Sequence, residues 1–158
     1  ASLLSADRGE GWNLALLVHT TLPVGSDELG SPRADPSVRL MGSHDLLQRV
    51  GLGWNVAYEA SSFEDAERVR HTLSRFLYTG TLGFSLAPRW GAFIELFGDL
   101  PASDSAPAAH TFDGGVTFLA TPALQLDFAA GVGLNDAAPD WFVGAGLSLR
   151  RLRRTPGI

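Results

Sequence analysis

Leu124-Gln125-Leu126-Asp127-Phe128-Ala129-Ala130-Gly131-Val132-Gly133-Leu134 alternates, residue by residue, between an apolar set and a small or polar set. Leu124, Leu126, Phe128, Ala130, Val132 and Leu134 share one side, and Gln125, Asp127, Ala129, Gly131 and Gly133 share the other. Successive side chains of a β-strand point to opposite faces, so period two reads as a strand with one apolar and one hydrated face. The next segment repeats the pattern, with Trp141, Val143, Ala145, Leu147 and Leu149 opposed by Phe142, Gly144, Gly146, Ser148 and Arg150. Together they form a hairpin with arms Pro122 to Asn135 and Pro139 to Arg150. Arms of about ten residues, tilted near 45°, suffice to cross the apolar layer of a bilayer.

The same test along the whole chain gives eight strands, at about 10–22, 36–44, 48–60, 70–87, 89–100, 109–120, 122–135 and 139–151. Their connections alternate in length. His44 to Leu47, Ala87-Pro88 and Thr121-Pro122 are short, whereas Pro23 to Asp35, Ser61 to Val69 and Pro101 to Ala108 are longer and rich in Pro, Ser, Asp and Glu. Short turns on one rim and long loops on the other are the pattern of bacterial outer-membrane barrels. The expected fold is all-β, an antiparallel up-and-down transmembrane β-barrel of about eight strands, with both termini on the short-turn, periplasmic rim.

Composition sets the bounds of that reading. A length of 158 residues fits a single domain, 1–158. No apolar run approaches the roughly eighteen residues of a spanning helix; Leu14 to Val18 is the purest stretch. There is no cysteine, which excludes disulfides and thiol chemistry. The sequence starts at Ala1 without a basic and then apolar leader, so any export signal is expected outside these residues. All 12 basic residues are Arg, a bias that suggests a GC-rich genome more than a physical role, and the net charge of -5 argues against a nucleic-acid partner. Acidic residues gather in the polar breaks (Asp27, Glu28, Asp35; Glu64, Asp65, Glu67; Asp99, Asp104; Asp136, Asp140). Arg49, Arg89, Arg150, Arg151, Arg153 and Arg154 sit at the opposite strand ends.

Spanning barrels carry Trp and Tyr where the strands meet the headgroups. Trp12 and Trp90 begin strands at the short-turn rim, while Tyr58 and Trp141 lie toward the loop rim, all on the apolar side by parity. These four are the candidate membrane-interface aromatics; Trp54 and Tyr78 fall nearer mid-strand and do not fit the girdle. A competing signal occupies Ser61 to Leu77, where Phe63, Ala66, Val69, Leu73 and Phe76 have helical spacing and Ser61 with Glu64 resembles a capping box. A strand from about His71, preceded by a helical turn in the loop, would satisfy both signals.

Several short motifs then recur in a familiar order: Leu22-Pro23-Val24-Gly25, Asn55-Val56-Ala57-Tyr58, Phe93-Ile94-Glu95-Leu96-Phe97-Gly98, Asp113-Gly114-Gly115-Val116, Leu124-Gln125-Leu126-Asp127 and Phe142-Val143-Gly144-Ala145-Gly146-Leu147-Ser148. From about Leu14 to Leu149 the chain resembles the outer-membrane family named for the MetA pathway of phenol degradation. The resemblance implies a porin-like outer-membrane β-barrel of a Gram-negative bacterium, serving transport of aromatic or other small apolar compounds. Chains of that family are usually longer at the N-terminus by several strands, so this one is expected to be either a shortened member or the C-terminal part of a larger barrel. Its end, Arg150-Arg151-Leu152-Arg153-Arg154-Thr155-Pro156-Gly157-Ile158, departs from the aromatic residue at which outer-membrane strands commonly terminate.

By parity the inward face collects Asn13, His19, Arg39, Arg49, Asn55, Glu59, Arg75, Arg89, Glu95, Asp113, Gln125, Asp127 and Arg150, the lumen-lining candidates. Charges taken from water must be paired or wetted, so this mixture predicts an ionic network around a narrow, partly hydrated lumen. Such a network could merely fill and rigidify an eight-stranded interior. Alternatively Glu95, Asp113 and Asp127 could line a substrate path, given more strands or a lateral opening.

No enzyme is expected. His19 or His71 could serve an inward Ser or Thr as base, but no spacing selects such a set. His19, His44, His71 and His110 are scattered, so neither a metal site nor a cofactor is expected. Gly131-Val132-Gly133 and Gly144-Ala145-Gly146 lie within strands and lack the three-glycine spacing of a phosphate loop. Inward glycines instead leave room for neighbouring side chains. The terminal arginines suit anionic headgroups, a periplasmic partner or plain solvation. The expected partners are outer-membrane lipid or detergent and a small apolar solute. Two other functions stay open at this point: a structural or interaction barrel with no transport role, and a soluble lipocalin-like barrel that buries the apolar face inside.

Overall fold

The computed structural model describes residues 11–23, 33–64, 69–102 and 106–150. Eight strands follow one another: β1 (Asn13–Thr21), β2 (Asp35–Leu47), β3 (Val50–Glu64), β4 (Arg70–Ala87), β5 (Trp90–Pro101), β6 (Ala109–Thr121), β7 (Leu124–Gly133) and β8 (Trp141–Leu149). Each pairs antiparallel with its neighbours in sequence, giving one up-and-down sheet in the order β1 to β8. Among the described residues there is no helix, and β1 and β8 do not pair with each other, so both sheet edges are open.

The strands match the sequence pattern because period two is what a one-layer sheet demands. The two-residue turns are Gln48-Arg49, Pro88-Arg89 and Pro122-Ala123. A register shift marks each of them, between Asp45 and Leu47, Ser85 and Ala87, and Leu119 and Thr121. A bulge adds a residue to one strand and sharpens its bend, which suits a reversal at the rim of a curved sheet. Proline opens two of the turns, where its missing N–H costs no ladder hydrogen bond.

The helical spacing from Ser61 to Leu77 is overridden. Ser61 to Glu64 end β3 and Arg70 to Leu77 begin β4, in unbroken register from Val50 opposite Phe84 to Glu64 opposite Arg70. Fifteen paired positions satisfy the backbone of both strands, and that outweighs a weak local preference. The helical turn expected in the loop Ser61 to Val69 does not form at Ser61–Glu64, which are strand, and the rest of that loop at 65–68 lies outside the described residues.

Pairing fixes the faces. One row crosses all eight strands as Leu14, Gly42, Trp54, Gly80, Leu96, Phe112, Val132 and Trp141. Trp54 lies at mid-strand because Gly42 makes space for it: a Cβ on Gly42 would strike the Trp54 ring. The row one residue along is Asn13, Ser43, Gly53, Thr81, Glu95, Asp113, Gly131 and Phe142. The first row belongs to an apolar face that is open to the surroundings, with Phe128 at 52% and Leu147 at 61% exposure. On the second face lie the buried Ala57, Ser37, Thr111 and Asp113.

A single layer buries residues on one face only by curling over that face. The rings of Phe97 in β5 and Phe142 in β8 are 6.5 Å apart, although three strand spacings would separate them by about 14 Å in a flat sheet. The polar face is therefore concave and the apolar face convex. This corrects the lipocalin-like expectation, which requires the apolar side chains inside the curve.

Candidate functional site

The concave wall is the candidate site. Nine sequence-derived candidates share it through the ladder: His19, Arg39, Asn55, Glu59, Arg75, Glu95, Asp113, Gln125 and Asp127. Asn13 stands on the same face. Three do not line the wall. Arg49 and Arg89 occupy two-residue turns and Arg150 follows β8, so all three belong to the short-turn rim. Strand parity assigned them inward, but a turn interrupts the alternation on which parity depends.

Arginine and carboxylate meet in diagonal pairs across adjacent strands. Arg39 Nη2 donates to Glu59 Oε1 at 3.1 Å, and Arg75 Nη1 donates to Asp99 Oδ2 at 2.9 Å. The four side chains keep between a quarter and somewhat over a third of their surface, so these pairs are wetted rather than sealed. Asp99 does not belong to the polar break that its sequence surroundings suggest; it is the inward partner of Arg75. Its odd number, shared with Glu95 and Phe97 on the same strand, was the available signal.

The carboxylates further round the wall are arranged differently. Glu95 accepts a hydrogen bond from Thr81 Oγ1 at 2.5 Å and faces Asp113 directly across the β5–β6 ladder. Asp127 in β7 rests against Gly146, where any Cβ would strike its carboxylate. Among the described residues no ion pair reaches Glu95, Asp113 or Asp127. Of the possible partners for Asp127, Arg75 is held by Asp99, Arg89 donates to the carbonyls of Leu119 and Ala120, and Arg150 donates to Pro122 O. The wall is thus neutralised over β2 to β5 and acidic over β5 to β7.

Over the neutralised half lies a cavity of about 400 Å³, bordered by Arg39, Asn55, Arg75, Phe97, Asp99 and Thr111. Its volume falls in the range of sites for small organic molecules. Phe97 and Phe142 supply the aromatic part of this wall, a contribution absent from the list of inward charges. Phe142 reaches it by lying over Gly131, where a Cβ would strike the ring. Gly131 is thus an inward glycine that yields its space to a neighbour, whereas Gly144 has nothing within 4 Å.

The histidines do not converge. His19 pairs in register with Ser37 but makes no hydrogen bond to it, and the buried Ser37 Oγ has no partner. His44 is stacked on Trp12 at 4.8 Å, His71 on Phe63 at 5.3 Å, and His110 Nδ1 meets the Tyr78 hydroxyl at 2.8 Å. Among the described residues no group of three His, Asp or Glu side chains is placed to hold a metal ion.

At the two ends of the convex face stand the four rim aromatics. Trp12 and Trp90 mark the short-turn end and Tyr58 and Trp141 the loop end, all exposed. Tyr58 donates to Ser74 Oγ at 3.0 Å. Residues 1–151 match the family described as "Putative MetA-pathway of phenol degradation". The chain belongs to this family. The match spans all eight strands, as the motifs from Leu14 to Leu149 implied. No curated relative matches the chain.

Proposed function

We propose that this member of the phenol-degradation family is an outer-membrane β-barrel wall that passes small apolar compounds, aromatic ones included, without catalysis or cofactor. One observation carries the proposal: a convex apolar face, continuous over eight strands and ending in aromatic residues at both rims, backs a concave face of charges, hydroxyls and glycines. Water tolerates no apolar patch of that extent on a monomer, while a bilayer requires it. Strands of 9 to 18 residues are long enough to cross. The cavity beside Phe97 offers a solute an aromatic surface between hydrated ion pairs.

Lipopolysaccharide slows the entry of apolar solutes, so the test uses vesicles carrying it in the outer leaflet. Reconstituted protein should speed the entry of a small aromatic probe over protein-free vesicles, and Phe97→Glu should reduce the gain. Equal rates with and without protein, in vesicles shown to contain the folded chain, would remove the transport reading. A second reading, an interaction barrel, draws on the ends of β3 and β4: among the described residues Ser62 is the last β3 residue tied to β2, through Asp35, and Ser74 O accepts from Ala102 N after β5, while Phe63–Glu64 and Arg70–His71 pair in the ladder only with each other.

A further inference from the structure

The short-turn rim carries an arginine whose use the wall does not explain. Arg89 leaves the Pro88-Arg89 turn and bends over the end of β6, where Nε donates to Leu119 O at 2.8 Å and Nη2 donates to Ala120 O. Its guanidinium lies 4.9 Å from the centre of the Phe118 ring. Two carbonyls and one aromatic face therefore hold an exposed cation in a single orientation at the boundary of the apolar face. A guanidinium fixed in this way loses little freedom when it meets an anion, and its planar fork suits phosphate.

Apolar surface begins directly beside it. Trp90 and Phe118 pack with ring centres 4.6 Å apart, and the row continues through Leu126 to Leu147. A recess of about 350 Å³ opens between Arg89, Leu119, Ala120, Thr121 and Pro122. Arg49 and Arg150 stand on the same rim, so the local charge is basic although the chain as a whole is at -5. A fixed cation above an aromatic pair and an apolar row is complementary to an amphiphile with an anionic head and an acyl tail.

We propose that Arg89, with Trp90 and Phe118, forms a binding site for the phosphate of an anionic phospholipid at the short-turn rim, the lipid tail lying along Phe118 and Leu126. This rests on the membrane reading above and adds a specific lipid to it. Nothing covalent is involved; the lipid would fix the β4–β5 turn at the level of the headgroups.

The test uses the full chain with Trp90 as its one tryptophan (Trp12, Trp54 and Trp141→Phe), reconstituted in phosphatidylcholine vesicles. Bromine-labelled phosphatidylglycerol or bromine-labelled phosphatidylcholine is added as a minor component, and quenching of Trp90 is read. Phosphatidylglycerol should be preferred about fivefold at this site, the ratio that one basic residue near an anionic surface supports. Arg89→Gln should bring the ratio close to one. Arg89→Lys keeps the charge and loses the carbonyl clamp and the planar fork, so it should retain only part of the preference. Equal quenching by the two lipids in the parent, or a glutamine variant that keeps the preference, overturns the proposal and leaves Arg89 as a strand-end clamp. Excess inorganic phosphate should not displace the lipid, because the ion has no tail to lie along Phe118; displacement by phosphate alone overturns the amphiphile reading. Flotation of the same vesicles separates the two claims: a chain that fails to float with lipid sinks the membrane reading itself, whereas one that floats without lipid preference sinks only this site.

Discussion

Asp113 and Phe128 stand on adjacent strands of one sheet, β6 and β7, and their surroundings are opposite. Asp113 is 7% exposed on the concave face, while Phe128 is 52% exposed on the convex face. Soluble proteins bury the phenylalanine and solvate the aspartate. The inversion extends over the whole sheet: the convex face shows Val38, Val56, Phe112, Val132 and Leu147, and the concave face hides Ser37 and Thr111. It teaches that the stabilising apolar contacts of this chain are to be made with something outside it, and that the inner face is polar and closely packed, paired at Arg39–Glu59 and Arg75–Asp99 but not at Ser37 Oγ or Asp113 Oδ1.

The largest expected effect comes from removing that outer phase. Refolded in detergent or lipid, the chain should elute as a folded particle; refolded in plain buffer, it should aggregate, since exposed apolar area of this extent drives association. Size-exclusion profiles with and without detergent make the comparison, and a folded monomer in buffer would show that the convex face tolerates water.

Next comes a charge on the convex face. Leu126→Arg should cost roughly 2 to 4 kcal/mol in lipid, as an arginine does near the bilayer midplane. One residue away, Asp127→Asn should cost below about 0.5 kcal/mol, the scale of changes that break no partner, because no ion pair holds Asp127 among the described residues. Reversible urea unfolding in liposomes measures both; similar costs for the two would erase the distinction between the faces.

Within the concave face the effects are smaller. Arg75→Ala leaves Asp99 without its guanidinium, and since both side chains retain about a third of their surface, the loss should be about 1 to 2 kcal/mol, less than for a fully buried pair. The double variant with Asp99→Asn should recover part of it. On the convex face Gly42→Ala pushes its new methyl group on the Trp54 ring; the shift should cost about 1 kcal/mol and alter the Trp54 emission.

The sheet was legible in the sequence because one layer with two unlike faces writes its period into every strand. Leu124 to Gly133 and Trp141 to Leu149 alternate so cleanly that pairing only confirms them. Tertiary pairing decided what local spacing left open, as at Phe63 and Leu73, which share the helical spacing and which the ladder places on two paired strands. The site was legible to the same depth. Parity brought Arg39, Glu59, Arg75, Glu95 and Asp113 to one face, yet it could not foresee that Arg89 and Arg150 fold back onto rim carbonyls, because a turn has no period. Nor could it pair Arg75 with Asp99 before the register was known.

The two faces of β7 can be compared without altering anything else. The chain has no cysteine, so Phe128→Cys and Asp127→Cys each accept one fluorophore at one place. In lipid vesicles the label at 128 should be quenched by a spin-labelled acyl chain and shielded from aqueous iodide, and the label at 127 should show the reverse order. Equal quenching at both positions, or iodide reaching 128 more readily than 127, would contradict the assignment of the convex face to lipid.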